Sequence, residues 1–183
     1  MIKRCDWAET NELEKIYHDE EWGIPVHDEQ QLFEMLVLES MQAGLSWTTI
    51  LKKRETLRIA YDNFDYQLIA NYDEQKIENL LADPGVIRHS LKIKATINNA
   101  KAYLKIQDEF GSFNQYLWQY VEGQPQVNHW ATIQEVPAST ELSDKISKDL
   151  KKHGFKFLGT TTVYAFLQAT GVVNDHLEYC FKV

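Results

Sequence analysis

Apolar residues recur at intervals of three and four along most of the chain, and the two-residue alternation of a half-buried strand is scarce. The pattern predicts helices over Glu12 to His18, Glu29 to Gly44, Trp47 to Phe64, Tyr66 to Ala70, Asp73 to Ala82, Arg88 to Phe110 and Ser112 to Val121. A polar stretch around Gly123 to Trp130 follows, and then helices over Ser139 to His153, Thr160 to Thr170 and Asn174 to Cys180. Punctuation agrees: Asp28 and Asp73 can cap helix starts, and Gly111 or Gly171 can end helices. With four prolines, no repeat, no low-complexity tract and no long linker, residues 1–183 read as one all-α domain of many short helices. The helices form either one compact body or two lobes sharing a groove.

The segment Gln31 to Trp47 departs from simple amphipathicity. Leu32, Leu36, Glu39 and Ala43 fall at i, i+4, i+7 and i+11, which places a carboxylate on the face expected to be buried. A buried carboxylate must find donors or stay protonated. Its commoner role is structural, bonded to a helix end or an arginine; the other is functional. Trp7, Tyr17, Trp22 and Trp47 flank it in sequence. They are either core residues or the walls of a slot that stacks a flat base, with Glu39 accepting from its exocyclic amine. Gly44 then breaks the helix and presents Leu45, either a helix-end contact or a wedge for the gap a flipped nucleotide leaves in a duplex. Lys52, Lys53 and Arg54 follow within range of flanking phosphates.

Net charge is −8, which counts mildly against a nucleic-acid partner, although Lys52–Arg54, Arg88–Lys94 and Lys145–Lys156 are basic islands. No apolar run is long enough to span a membrane, and Met1 to Arg4 lead into polar residues rather than a signal peptide, so a soluble cytoplasmic protein is expected. Both cysteines have a histidine nearby: twelve residues separate Cys5 from His18, and His176 lies four before Cys180. On a helix the latter pair shares one face, and the four side chains complete a tetrahedral shell for a structural zinc that clips the ends of the chain together. Inert cysteines and a Cys5–Cys180 disulfide are the alternatives. Two helix-hairpin-helix signals remain, Asp83 to Ile87 and Gly154 to Thr161. In the second, Gly159 admits a close backbone, the free amides starting the Thr160 helix can hold a phosphate, and Lys156 adds charge.

Several blocks resemble the 3-methyladenine DNA glycosylase I family: Arg4-Cys5-x-Trp7, Tyr17-His18-Asp19-x-Glu21-Trp22-Gly23-x-Pro25, Leu38-Glu39-x-x-Gln42-Ala43-Gly44-Leu45-Ser46-Trp47, Ile50 to Arg54, Gly154 to Phe157 and Val173 to His176. They run in order from Cys5 to Cys180. The resemblance implies a helix-hairpin-helix glycosylase fold. It also implies a structural zinc on Cys5, His18, His176 and Cys180, and a base pocket of Glu39, Tyr17 and Trp47 with Trp7 and Trp22 nearby. A DNA wedge at Gly44 and Leu45 and a phosphate-binding hairpin with Lys156, Gly159 and Thr160 complete the set. At position 14, where relatives can carry another aromatic, this chain has Glu14, to which no role is assigned. The implied activity is monofunctional hydrolysis of the N-glycosidic bond of 3-methyladenine in alkylated duplex DNA, by a monomer that flips the base out and leaves an abasic site. Two other readings compete: a zinc-clipped DNA-binding module without catalysis, and a hydrolase of free nucleosides.

Overall fold

The computed structural model describes residues 1–183 as nine α-helices and one pair of short strands. In chain order these are α1 (Glu12–Glu20), α2 (Glu29–Met41), α3 (Trp47–Ala60), α4 (Tyr66–Ile69), α5 (Glu74–Ala82), α6 (Ser90–Phe110) and α7 (Phe113–Trp118). Strand β1 (Gln126–Val127), α8 (Glu141–Lys152), α9 (Thr160–Ala169) and β2 (Val173–Asn174) follow. The expected all-α fold is borne out, with boundaries shifted by a few residues at most helix ends. No helix is long and apolar enough to cross a membrane.

Helix α2 is the axis. Asp28 caps it by accepting from the Gln31 N–H at 3.0 Å, and every residue from Leu32 to Met41 is buried. The expected stripe is therefore a helix enclosed on all sides, packed by α3, α6, α7 and α9. It ends at Met41 rather than Gly44. Gly44, at φ +80°, turns the chain back, and the Leu45 N–H meets the Gln42 carbonyl at 2.7 Å.

Two acids on this enclosed helix meet opposite fates. Glu34 accepts from Arg54 Nη2 at 2.7 Å and Arg58 Nη2 at 2.9 Å, and Arg54 also grips Glu21 at 2.7 Å. Burial pushes the Glu34 carboxyl up, but Arg58 and Arg54 outweigh it and leave its pKa below the ordinary range. Glu39, one helical turn and more along, is described below.

Three expectations fail for identifiable reasons. The predicted Trp47 to Phe64 helix stops at Ala60, and a 3₁₀ turn over Asp62–Phe64 contains Asn63 at φ 56°. The Asn174 to Cys180 helix does not form. Its residues instead make β2, parallel to β1 with Gln126 opposite Val173, and then a run of turns. Asp175 explains this: its buried carboxylate accepts from Asn128, Trp130, Gln168 and Tyr164, which holds the backbone away from i→i+4 bonding. His176 and Cys180 therefore meet through turns and not along a helix face. The third concerns the basic islands, whose members are partly internal: Lys92 on α6 is buried and donates to the carbonyls of Met41 at 2.8 Å and Ala43 at 2.5 Å, tying off the end of α2.

Truncation of Glu34 leaves Arg54 half-enclosed without its inner partner, so Glu34→Ala is expected to cost about 3 kcal/mol of stability. The urea midpoint measures this; a midpoint equal to wild type would show that Glu21 alone satisfies Arg54.

Candidate functional site

A cavity of about 510 Å³ opens between α1, α2, α3, α9, the turns flanking α1 and the segments that follow β1 and β2, lined by Trp7, Tyr17, Trp22, Glu39 and Trp47 among others. These five are the residues the sequence brought forward for a base slot. Their rings form a connected wall: Trp7 lies 5.0 Å from Trp22 and 6.3 Å from Tyr17, and Tyr17 lies 5.4 Å from Trp47, all tilted or edge-on. Edge-on packing leaves ring faces available for a flat ligand.

Glu39 is buried, and no protein group neutralises or hydrogen-bonds its side chain; burial alone raises its pKa to about 8. The structural role anticipated for this acid belongs to Glu34, five residues earlier, which took the arginines. Tyr17, whose hydroxyl titrates well above its usual range through burial and then the nearby Glu39, donates weakly to Met35 Sδ at 3.9 Å. The cavity lining contains three carboxylates, Glu14, Glu39 and Asp175, and no lysine, arginine or histidine. A site of this composition holds a flat ligand rich in hydrogen-bond donors or carrying positive charge.

Behind Trp7 and Trp22 the side chains of Cys5, His18, His176 and Cys180 converge, all buried, with ligand atoms within 4.8 Å of one another. Sulfur-to-nitrogen separations are 3.4 Å (Cys180–His18), 3.5 Å (Cys180–His176) and 3.6 Å (Cys5–His176). A tetrahedral ion with ordinary zinc bond lengths requires about 3.5 Å along such an edge. The donors are also oriented for it. His18 turns Nδ1 to Asp19 at 2.7 Å and His176 turns Nε2 to the Trp22 carbonyl at 3.0 Å, which leaves the other nitrogen of each ring facing the sulfurs. Arg4 fixes Asp19 in turn, at 2.7 Å. Burial lowers both imidazole pKa values, His176 to about 4, so the rings are neutral ligands at physiological pH. The same burial pushes the Cys5 thiol up to about 12, so its thiolate needs a cation beside it. Main-chain N–H groups of Leu177 and Lys182 point at Cys5 and Cys180 sulfur, both at 3.4 Å. Both cysteines are free thiols, so the disulfide alternative is not what forms. Gly23 makes the assembly possible: at φ +82°, a Cβ there would lie 2.8 Å from His176 Nε2. The four residues form a set that can hold one metal ion.

On the outer surface, Gly44 and Leu45 sit on the turn after α2, Gly44 with open space around it and Leu45 half-buried. The Gly154 to Thr161 segment joins α8 to α9 as anticipated. Lys156 is exposed while its backbone is clamped by Asn99, which accepts from the Lys156 N–H and donates to its carbonyl, both at 2.9 Å. Gly159 faces open space, and the N–H groups of Thr160 to Thr162 precede the first intrahelical bond, from Val163 to Gly159. The Thr160 hydroxyl is spoken for by Asp144 at 2.6 Å, so only its amide is free for an anion. Of the first basic island, Lys52 is exposed, Lys53 donates to the Pro84 carbonyl at 3.1 Å, and Arg54 is committed to Glu21 and Glu34. That island offers fewer cations than its sequence promised.

The family model of methyladenine glycosylases matches residues 7–183. The chain belongs to the methyladenine glycosylase family. Across 179 residues it is 49% identical to DNA-3-methyladenine glycosylase 1 of Escherichia coli (strain K12), a match that covers 98% of this chain and 96% of that one. It is also 45% identical to DNA-3-methyladenine glycosylase of Haemophilus influenzae, over 98% and 97% of the two chains. Among solved structures, a variant of 3-methyladenine DNA glycosylase I in complex with 3-methyladenine superposes with a TM-score of 0.94 at 39% identity, covering 97% of this chain and 96% of that one.

This methyladenine glycosylase also lines its cavity with residues for which the sequence carried no signal. Ile133, Val136 and Pro137 come from an aperiodic stretch, and Ala165 and Gln168 from the inner face of α9. Glu14, left without a role, is buried in the same wall.

The raised pKa of Glu39 has a signature in stability. The native chain keeps a proton there that the unfolded chain releases above the ordinary value of 4.5. Stability from the protonated group is thus full below that pH and is lost as pH rises through about 8. Relative to Glu39→Gln, wild type is expected to lose a few kcal/mol between about pH 5 and about pH 8. Urea melts of both proteins at the two pH values measure the difference; parallel pH dependence would mean that Glu39 ionises freely.

Proposed function

We propose that the chain is a monofunctional DNA glycosylase that hydrolyses the N-glycosidic bond of 3-methyladenine in alkylated double-stranded DNA, releasing the base and leaving an abasic site. The observation that carries this reading is Glu39, a buried carboxyl without a protein donor in a cavity walled by Trp7, Tyr17, Trp22 and Trp47. Methylation at N3 gives the nucleotide a positive charge and makes the base a good leaving group. A base of that kind supplies what the cavity lacks. Its exocyclic amine donates to Glu39, its charge favours the ionised carboxylate, and Tyr17 and Trp47 stack and orient it. Glu39 holds the base edge while the bond to the sugar lengthens, and water captures the oxocarbenium-like sugar. No lysine lines the cavity, which favours water over a Schiff base as the nucleophile.

The rest of the machinery brings the nucleotide to that wall. Gly44 and Leu45 enter the stack as the base leaves it, and Lys156 with the amides after Gly159 holds a phosphate. All of these residues lie on one chain, which supports action as a monomer and a single domain. The bacterial relatives support a place beside the chromosome in the cytoplasm. The metal is zinc, held by Cys5, His18, His176 and Cys180. With four protein ligands it is structural and leaves no position open for chemistry.

Two measurements test the reading. Incubation with methylated duplex DNA is expected to release 3-methyladenine, with release lowered at least tenfold in Glu39→Gln through loss of a charge-assisted hydrogen bond. Duplex binding without release would leave a binding module instead, and full release by the variant would remove Glu39 from the mechanism. Metal analysis is expected to find one zinc per chain, absent from Cys180→Ser together with a lower melting temperature. Equal melting temperatures for metal-free and metal-loaded wild type would sink the structural assignment.

A further inference from the structure

Glu14 sits on α1 one turn before Tyr17, so the two side chains share a face, and that face lines the cavity. It is buried, and its environment is built. Asn11 Nδ2 donates to Thr48 Oγ1 at 3.0 Å, and Thr48 Oγ1 donates to Glu14 Oε1 at 2.9 Å. Asn11 is itself fixed, because its side-chain oxygen caps α1 by accepting from the Glu14 N–H at 3.0 Å. This relay orients one carboxylate oxygen and leaves the other, Oε2, without a protein donor.

The three carboxylates of the cavity differ in what they have left to offer. Asp175 takes four protein donors, two on each oxygen, and has no capacity to spare. Glu39 and Glu14 are open. An aromatic side chain at position 14 would only stack; a carboxylate can accept. An exocyclic amine carries two hydrogens that point apart, so a second acceptor on the cavity wall completes its hydrogen bonding.

We propose that Glu14 is a second base-reading residue, whose free oxygen accepts a hydrogen bond from the exocyclic amine of a bound N-methylated purine, with Thr48 and Asn11 as its positioning residues. The inference rests on the glycosylase reading of the cavity and sharpens its substrate class to purines that carry an amine on the edge facing α1. Burial raises the Glu14 pKa, against the smaller opposing effect of Thr48, so a ligand that donates to it offsets the desolvation of the carboxylate.

The test compares two free bases, 3-methyladenine and 3-methylpurine, which differ by the amine alone, in binding to intact protein followed by quenching of tryptophan fluorescence. Wild type is expected to prefer 3-methyladenine. In Glu14→Ala that preference falls about tenfold, the worth of one hydrogen bond to a charged acceptor, while affinity for 3-methylpurine stays within about twofold. Thr48→Val lowers the preference by a smaller factor, and Glu14→Gln, which keeps the volume and an amide oxygen, guards against a folding defect. An unchanged preference in Glu14→Ala, with wild-type preference intact and lowered by Glu39→Gln, overturns the proposal and leaves the glycosylase reading standing. If wild type binds neither base, both fall together.

Discussion

From Leu32 to Met41 helix α2 has no face toward solvent, and the molecule is organised by that constraint. Every polar side chain on it has to be satisfied from within. Ser40 returns its hydroxyl to the Val37 carbonyl at 2.7 Å, and Glu34 draws two arginines out of α3. Lys92 crosses from α6 to quiet the carbonyls at the helix end. Glu39 alone receives no donor, and the space beside it is the cavity. Among the polar side chains of this buried stretch Glu39 is the one kept without a donor, and the indole N–H of Trp47 in the same cavity wall is likewise without an acceptor.

The cavity is not free-standing. Trp22 packs edge-on to His176 at 4.7 Å and Trp7 to His18 at 5.3 Å, so two of its aromatic walls lean on two of the four clustered residues that can hold a metal. Arg4 and Asp19 hold His18 from outside, and Gly23 lets the backbone pass close over His176. A metal ion held by those four residues would thereby set the spacing between the rings that wall the cavity.

Much of this was legible in the sequence, and the misses share a cause. Helix positions followed from periodicity, and the cluster of Cys5, His18, His176 and Cys180 from the spacing of each cysteine to a nearby histidine. Glu39 stood out as a charge among apolar neighbours. What periodicity cannot report is the partner. Arg54 and Lys92 read as surface cations because a charge count is blind to a buried acid on α2 or to bare carbonyls at its end. Asn174 to Cys180 read as helix because the claim of four side chains on Asp175 is invisible along the chain. Ile133 and Val136 reach the cavity from a stretch with no period at all. Glu14, three residues before Tyr17, was a different miss: the spacing that puts it on the cavity wall was plain, and only the chemistry opposite it was not.

The four residues that can hold a metal lie far apart in sequence, two early and two late, and that fixes an order of events during synthesis. Cys5 and His18 leave the ribosome early; His176 and Cys180 follow only after nearly all of the chain has been made, on the order of ten seconds or more later. Through that interval Trp22 lacks the His176 ring it packs against, and the Cys5 thiol waits for a partner not yet made. Helix α9, which both encloses α2 and lines the cavity, is made in the same late interval, so the buried helix and the pocket are completed together near the end of synthesis.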